Sequence, residues 1–371
     1  MTPEKNQFHD IDASKLQGFD ICVIGGGPAG LEAALVSCSL GARVLMIDDN
    51  PVLGGQLIKQ THKFFGSKAH YCGVRGVNIA GILSQEVEAQ DIEVIKNATV
   101  IGYYDDDIIG VLSGDRLFPV KAKTYIFATG ASENMLAFEN ADLPGVYGAG
   151  AVQTMMNVYG VVPGKRALVI GSGNIGLIVP YQLLQAGVEV AAIVEIMDRV
   201  GGYHVHAAKI KRAGVPIILK HTVIKALGRE CVEGARISEV GEKYECLLGT
   251  EKNIDCDMIL IAIGLSPLCE LLYHAGCRID YLPALGGHVP YHTEDMETSR
   301  KNIYVCGDLA CIEEASTAML EGKIAGVKAY ESLYGKNDQS KDIAAQAKKE
   351  LAIIRSSPFE ERIIIGLSKL Q

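Results

Sequence analysis

The stretch ICVIGGGPAGLEAALVSCSLGARVLMIDDNPVLGG, Ile21 to Gly55, decides the fold. A short apolar run meets a turn with Gly25, Gly27 and Gly30 in G-x-G-x-x-G spacing. A stretch of helical character opens at Pro28 and Ala29. A second apolar run then ends at Asp48 and Asp49. A near-copy follows as ALVIGSGNIGLIVPYQLLQAGVEVAAIVE, Ala167 to Glu195. A shift of 146 positions lays Gly25 on Gly171, Gly27 on Gly173, Gly30 on Gly176 and Gly41 on Gly187. Strand, glycine turn, helix and strand are half of a βαβ unit, written twice.

The glycine spacing carries chemistry. The first glycine allows a tight turn, the second lets backbone approach a pyrophosphate, and the third lets helix pack on strand. The helix start, at Pro28 and Ala29 in one copy and at Asn174 and Ile175 in the other, offers N–H groups and a positive dipole end to phosphates. Asp48 closes the second strand 23 residues after Gly25, where a carboxylate accepts ribose hydroxyls, with Asp49 beside it. Glu195 plays that part in the second copy, one position later than the shift requires. A carboxylate there favours a free 2′-hydroxyl, hence NAD(H), although Arg199 is near. Each copy therefore reads as a dinucleotide site, with another adenine nucleotide as the alternative in the second.

The rest of the chain fits two such halves. Residues 98–121 read as short strands turning at Asp105–Asp107 and at Ser113-Gly114-Asp115, followed by the buried strand TYIFATG ending at Gly130. Residues 215–256 repeat the pattern with turns near Gly228, Gly234 and Gly249, followed by MILIAIG ending at Gly264. NIYVCGD, ending in Gly307 and Asp308, and the helical run after it are expected to return to the first sheet. The fold class is α/β, with two doubly wound Rossmann-like domains, each carrying an antiparallel meander. The boundaries read as 18–145 with 285–335 for the first domain and 146–284 for the second. Residues 336–371 form a C-terminal helical tail.

Composition excludes other classes. The 371 residues carry a net charge of −9, against a nucleic-acid partner, which needs a basic face. No apolar run reaches the ~20 residues that span a bilayer. The polar first 20 residues lack a secretory pattern. The ten cysteines never form Cys-x-x-Cys, so a reduced, cytoplasmic protein without structural metal is expected.

With Ala128-Thr129-Gly130 and Cys306-Gly307-Asp308 added to the two glycine motifs, the chain resembles the two-dinucleotide-binding flavoproteins of the glutathione-reductase and thioredoxin-reductase kind, over about residues 18–335. The resemblance implies FAD in the first fold and NAD(P)H in the second. It places Gly25, Gly27, Gly30 and Asp48 at the ADP half of FAD, and Gly54, Gly55 and Gln56 along the flavin. Thr129 and Gly130 border the cofactor, and Asp308 bonds its ribitol or pyrophosphate. The helix from Ala315 points its N-terminus at the flavin. One departure matters: neither Gly54–Leu57 nor Gly148–Pro163 holds the Cys pair that disulfide reductases use.

The strings LPGVYGAGAVQTMMNVYGVVPGKRALVIGSGNIG and CGDLACIEEASTAMLEGKIAG are similar to the FAD/NAD subunits of opine oxidase and of dye-linked proline or hydroxyproline dehydrogenases. Hydrogen cyanide synthase and sarcosine oxidase alpha subunits share the likeness. It implies a subunit that moves hydride or electrons between FAD and NAD(H) or a partner. The partners implied are a second flavoprotein subunit that oxidises an amine or amino acid, and an iron–sulfur protein, because residues 312–371 contain no Cys. The alternatives are a stand-alone NAD(P)H-dependent flavin reductase feeding a ferredoxin-like acceptor, or a non-catalytic nucleotide-holding subunit. No side chain reads as a general base.

Other features have plain readings. Cys306 and Cys311 read as core residues, His204 and His206 as a helix face, and Lys323 as surface. Lys59, His62, Lys63, Lys68, His70 and Arg75, with Phe64 and Phe65 among them, make a locally basic stretch after Gly-Gly-Gln. It reads either as a charged solvated loop or as a surface that steers an anion or an acidic redox partner.

Overall fold

The computed structural model describes residues 18–64, 70–357 and 360–370. They form two compact units. One is drawn from residues up to Ser132 and from Ser266 onward, the other is Glu133–Leu265.

The first unit begins with β1 (Phe19–Ile24), α1 (Pro28–Ser39), β2 (Val44–Ile47), α2 (Gly76–Glu88) and β3 (Ile92–Ile95). β1, β2 and β3 are parallel neighbours, and β1 and β2 are buried along their whole length, as strands covered on both faces must be. The meander is β4 (Thr99–Tyr104), β5 (Ile108–Ser113) and β6 (Arg116–Phe127). TYIF is not a separate strand, because β6 runs unbroken for 12 residues. Its first half pairs antiparallel with β5, and its second half pairs parallel with β1.

After β7 (Ala131–Glu133), the second unit holds β8 (Val146–Gly148), α3 (Ala149–Asn157), β9 (Arg166–Ile170), α4 (Asn174–Gln185), β10 (Glu189–Val194), α5 (His204–Arg212) and β11 (Ile217–Ile218). β12 (His221–Leu227), β13 (Gly234–Glu239), β14 (Lys252–Ile254) and β15 (Met258–Ile261) complete it. The parallel sheet has the order β11-β10-β9-β15-β8, and β12-β13-β14 form a separate antiparallel sheet. Gly234 opens β13 rather than lying in a turn.

β16 (Leu265–Pro267) leads back to the first unit with α6 (Glu270–His274), β17 (Ile279–Leu282), β18 (Gly287–Pro290), β19 (Ile303–Val305), α7 (Ala315–Tyr334), α8 (Asp338–Arg355) and α9 (Glu361–Leu367). β19 pairs parallel with β6, so NIYV does return to the first sheet. The unit boundaries fall earlier than the sequence places them, because the connecting segments belong to different cores. Leu136, Phe138 and Leu143 pack with β9 and β15 side chains of the second unit. Cys269, Leu272, Ala275 and Cys277 pack in the core of the first, as do Ala347 and Leu351 of the tail.

Candidate functional site

Each unit builds a cradle from its glycine turn. Gly25 has φ 106°, and a Cβ there would stand 2.3 Å from the Ala128 carbonyl oxygen. A Cβ at Gly30 would meet Gly25 O at 1.9 Å. Both glycines are demanded by the protein's own backbone. Gly27 is not: its φ of −75° and ψ of −178° suit any residue, and the nearest atom to its virtual Cβ is Gly55 Cα at 3.9 Å. In the second unit a Cβ at Gly171 would meet Ala262 O at 2.2 Å and one at Gly176 would meet Gly171 O at 2.2 Å, whereas one at Gly173 meets nothing within 4 Å.

At Gly27 and Gly173 each chain segment leaves open space where a side chain would fit. Behind each space stands the start of a helix, α1 or α4, with no side-chain cap. The uncapped first-turn N–H groups need an acceptor. A diphosphate supplies acceptors, negative charge and the bulk that excludes a Cβ, so both cradles fit a dinucleotide.

The strand-terminal acids are tied to the same turns. Asp48 Oδ2 accepts from Gly26 N–H (2.5 Å), and its Oδ1 accepts from Asn50 N–H (2.8 Å). Glu195 Oε2 accepts from Ser172 N–H (2.8 Å) and Ser172 Oγ–H (2.6 Å), and its Oε1 accepts from Met197 N–H (2.9 Å). Both acids are buried. The carboxylates brace the glycine turns and keep lone pairs for ribose hydroxyls. Asp49 is exposed and accepts from Asn50 Nδ2 (2.7 Å), and partial burial and the charge of Asp48 push its carboxyl up.

The one-residue offset of Glu195 has a structural cause. The β9–β10 register slips between Val190 and Ala192, so a bulge adds one residue before the strand ends. The repeat extends beyond Glu195 to the Gly201-Gly202 pair, where Gly202 takes the hydrogen-bonding place of Gly54. Gly54 N–H donates to Gly26 O (2.8 Å), and Gly202 N–H donates to Ser172 O (2.8 Å). Gly201 N–H donates to Ser172 Oγ (3.1 Å), and Tyr203 N–H donates to Asn174 Oδ1 (2.9 Å). Gly201 and Gly202 were not matched to the first copy in sequence, because a fixed shift of 146 stops matching at the bulge, whereas Ser172 lies within the shift, opposite Gly26, and its side-chain bond to Glu195 leaves no sequence signal.

The first cradle collects more elements. Gly54 and Gly55 fold back on Gly27, with Gln56 exposed on the short helical turn that follows. Thr129 Oγ1 donates to Leu268 O (3.1 Å), and Gly130 lies at the end of the β6 segment that presses on Gly25. Gly307 approaches Ala29 in the first turn of α1, which brings Asp308 to the same end of the sheet. Burial pushes the Asp308 carboxyl up to about 7, with Glu314 and Glu313 adding to it. The folded chain thus holds a proton that the unfolded chain releases near pH ~4. This stability is full below that pH and is lost as pH climbs through about 7. We expect thermal melts of the cofactor-free chain to show that loss, and Asp308→Asn to flatten it.

The remaining sequence features do not join a cradle chemistry. Burial pushes the Cys306 and Cys311 thiols well up, which disfavours the thiolate form and fits the reading of both as core residues. All ten cysteines are free thiols. His204 opens α5, and His206 is buried against Tyr203. Lys323 sits 3.6 Å from Glu32. Asp105–Asp107 make the turn between β4 and β5. In the basic stretch, His62 stacks near Phe64 and His70 pairs with Glu350 at 3.0 Å, while Phe65 and Lys68 lie outside the described residues. Among the described residues no group of three His, Cys, Asp or Glu is placed to hold a metal, and no helix is long and apolar enough to cross a membrane.

Comparison with known proteins agrees with this geometry. The chain is 29% identical over 272 residues to the sarcosine oxidase alpha subunit of Rhizobium meliloti (strain 1021), covering 69% of this chain and 25% of the relative. It is 26% identical over 340 residues to an opine oxidase subunit from Agrobacterium tumefaciens (strain Ach5), covering 85% of this chain and 66% of the relative. The chain therefore spans a quarter of the first relative's length and just under two thirds of the second's. Among solved structures, T. acidophilum thioredoxin reductase matches with a TM-score of 0.69 at 22% identity, over 85% of this chain and 98% of that one. L-proline dehydrogenase from P. horikoshii matches with a TM-score of 0.65 at 23% identity, over 89% of this chain and 58% of that one. These structural likenesses speak for the fold. The profile of the pyridine nucleotide-disulphide oxidoreductases, a family that typically binds FAD and NAD(P), matches residues 19–322, so this chain belongs to that oxidoreductase family.

Proposed function

We propose that the chain is the FAD-holding subunit of a hetero-oligomeric amine or amino-acid dehydrogenase, with NAD(H) or another adenine nucleotide in the second unit. The observation that carries the reading is Gly27, a glycine that the protein's own atoms do not require and whose open side would receive a diphosphate. The similarity to chains named as subunits of sarcosine and opine oxidases supports the multi-subunit part. The proposed partners are an iron–sulfur protein and a second flavoprotein subunit. Ten free thiols suit a reducing, cytoplasmic setting.

In this reading the Gly25–Gly30 backbone and the start of α1 receive the FAD diphosphate, and Asp48 braces the turn and takes the ribose. Gly54, Gly55, Gln56, Thr129, Gly130 and Asp308 line the flavin side. Bound FAD supplies the two-electron chemistry, which no side chain of the chain performs. The protein's part is to fix the cofactor and exclude a competing acceptor. Thiol–disulfide exchange is not the proposed reaction. Gly54–Leu57 and Gly148–Pro163 have no cysteine, and the start of α3 is capped by Glu133, which accepts from Gly150 N–H (2.6 Å) and Ala151 N–H (3.0 Å).

Anaerobic titration of the FAD-loaded protein tests the reading. Bleaching by an amine or amino acid only when a co-purified partner subunit is present is the expected result. Prompt bleaching by NADH alone would move the assignment to a stand-alone flavin reductase. No bleaching by either would leave a nucleotide-holding subunit. Glu195→Ala separates the two cradles. It removes the brace on Ser172 and Met197, so adenine-nucleotide affinity in the second unit should fall at least about tenfold while the yellow colour stays. Isothermal titration with NADH and a visible spectrum read both.

A further inference from the structure

We propose that Arg355, the last residue of α8, is a positioning residue for the first cradle. It clamps Glu321 of α7, and Glu321 fixes the Gly307–Asp308 turn. This inference rests on the reading of that turn as part of the FAD site.

Glu321 is only 1% exposed, yet both its oxygens are engaged. Oε2 accepts from Gly307 N–H (2.9 Å), and Oε1 accepts from Arg355 Nη2 (2.5 Å). The same guanidinium also grips Glu313, through Nη2 and through Nε (3.1 Å). Burial pushes the Glu321 carboxyl up and Glu313 adds repulsion, while Arg355 and the Gly307 N–H pull it back down. The charge on Glu321 thus depends on Arg355. Buried His292 does not share that task, because burial and Arg355 hold it down to about 4, in the neutral form.

The turn itself is fixed on two sides. Gly307 has φ 70°, its carbonyl accepts from Ala310 N–H (2.7 Å) and Cys311 N–H (3.2 Å), and a Cβ there would stand 2.9 Å from Ala29 Cβ. Ala29 sets one side and Glu321 the other. Breaking a buried ion pair by deleting one partner leaves an uncompensated charge, so the clamp cannot be lost silently.

α8 is built to deliver the arginine. A capping box starts it, with Asn337 Oδ1 accepting from Ser340 N–H (2.7 Å) and Ser340 Oγ accepting from Asn337 N–H (3.1 Å). Ala344, Ala347 and Leu351 bury one face, and Lys348 pairs with Asp295 at 2.5 Å. The forked guanidinium reaches two carboxylates at once, which a lysine ammonium does not match.

The test uses the full chain. Hydrogen exchange over residues 306–311 is measured without cofactor, and FAD affinity is measured by titration. Arg355→Met should speed exchange there and weaken FAD binding, each at least about tenfold, with exchange in β2 unchanged. Glu321→Gln keeps one carbonyl oxygen for Gly307 but sets its amide NH2 against Arg355 Nη2, so it should shift both readings in the same direction as Arg355→Met, by at least about threefold. Should Arg355→Met fail to fold, Arg355→Lys is read instead, with the same signs and at least about threefold effects. Parent-like exchange and affinity in the folded arginine variant would overturn the proposal. So would an increase that spreads equally to β2. A parent chain that binds no FAD would overturn the functional reading instead, and the exchange arm would still judge this one.

Discussion

Gly27→Val should purify colourless and refuse added FAD while remaining folded. The backbone at Gly27 is ordinary for valine, and the nearest protein atom to the new Cβ is 3.9 Å away, so the chain itself has room. The cost to the fold is the loss of a good N-cap, about 1 kcal/mol. The methyl groups instead enter the space in front of the α1 N–H groups. A diphosphate held off those donors loses several charge-assisted hydrogen bonds, at about 1.5–3 kcal/mol each, so affinity should fall a hundredfold or more. Gly30→Ala is the control. Its Cβ would lie 1.9 Å from Gly25 O, so it should lower the melting temperature strongly and take cofactor binding down with the fold. Yellow Gly27→Val protein would remove the site from this turn.

That contrast shows what the sequence disclosed. Short-range backbone demands are legible, because each is met within a few residues. Gly25, Gly30, Gly171 and Gly176 mark turns whose geometry excludes a side chain, and together with the apolar runs that flank them they revealed both sheets. Past the bulge at Val190–Ala192 the fixed shift fails, so Glu195 was matched only one position late and Gly201 and Gly202 were not matched to Gly54 and Gly55. β6 was read as pieces because its environment changes along its length. Arg116–Lys123 alternates in burial beside the meander, and Thr124–Phe127 is buried throughout between β1 and β19. The Arg355 clamp was not legible, since it joins positions more than 30 residues apart through contacts that leave no periodic trace.

The packing of α1 against α7 is also a long-range contact, and it supports the second large prediction: Gly322→Val should destabilise the first unit by about 3 kcal/mol or more. A Cβ at Gly322 would stand 2.1 Å from the Ala29 carbonyl oxygen and 2.9 Å from its carbon, and one at Gly326 would stand 2.5 Å from Ala33 O. The obstructing atoms are backbone of α1, which cannot rotate aside as a side chain does. Small residues on both helices bring the axes close, and Ser37 Oγ adds a bond to Gly326 O (3.2 Å). Helix propensity alone predicts the opposite sign, because glycine inside a helix costs about 0.8–1 kcal/mol against alanine. Gly81 in α2, with nothing within 4 Å of its virtual Cβ, shows that default, so Gly81→Ala should raise the melting temperature while Gly322→Val lowers it. The displaced α7 would carry Glu321 away from Gly307, and α1 would carry Ala29 away from the same turn. Cofactor affinity should therefore fall together with stability, unlike the Gly27 variant, in which the two part. A Gly322→Val chain with parent-like melting would mean that the two helices are not packed through their backbones.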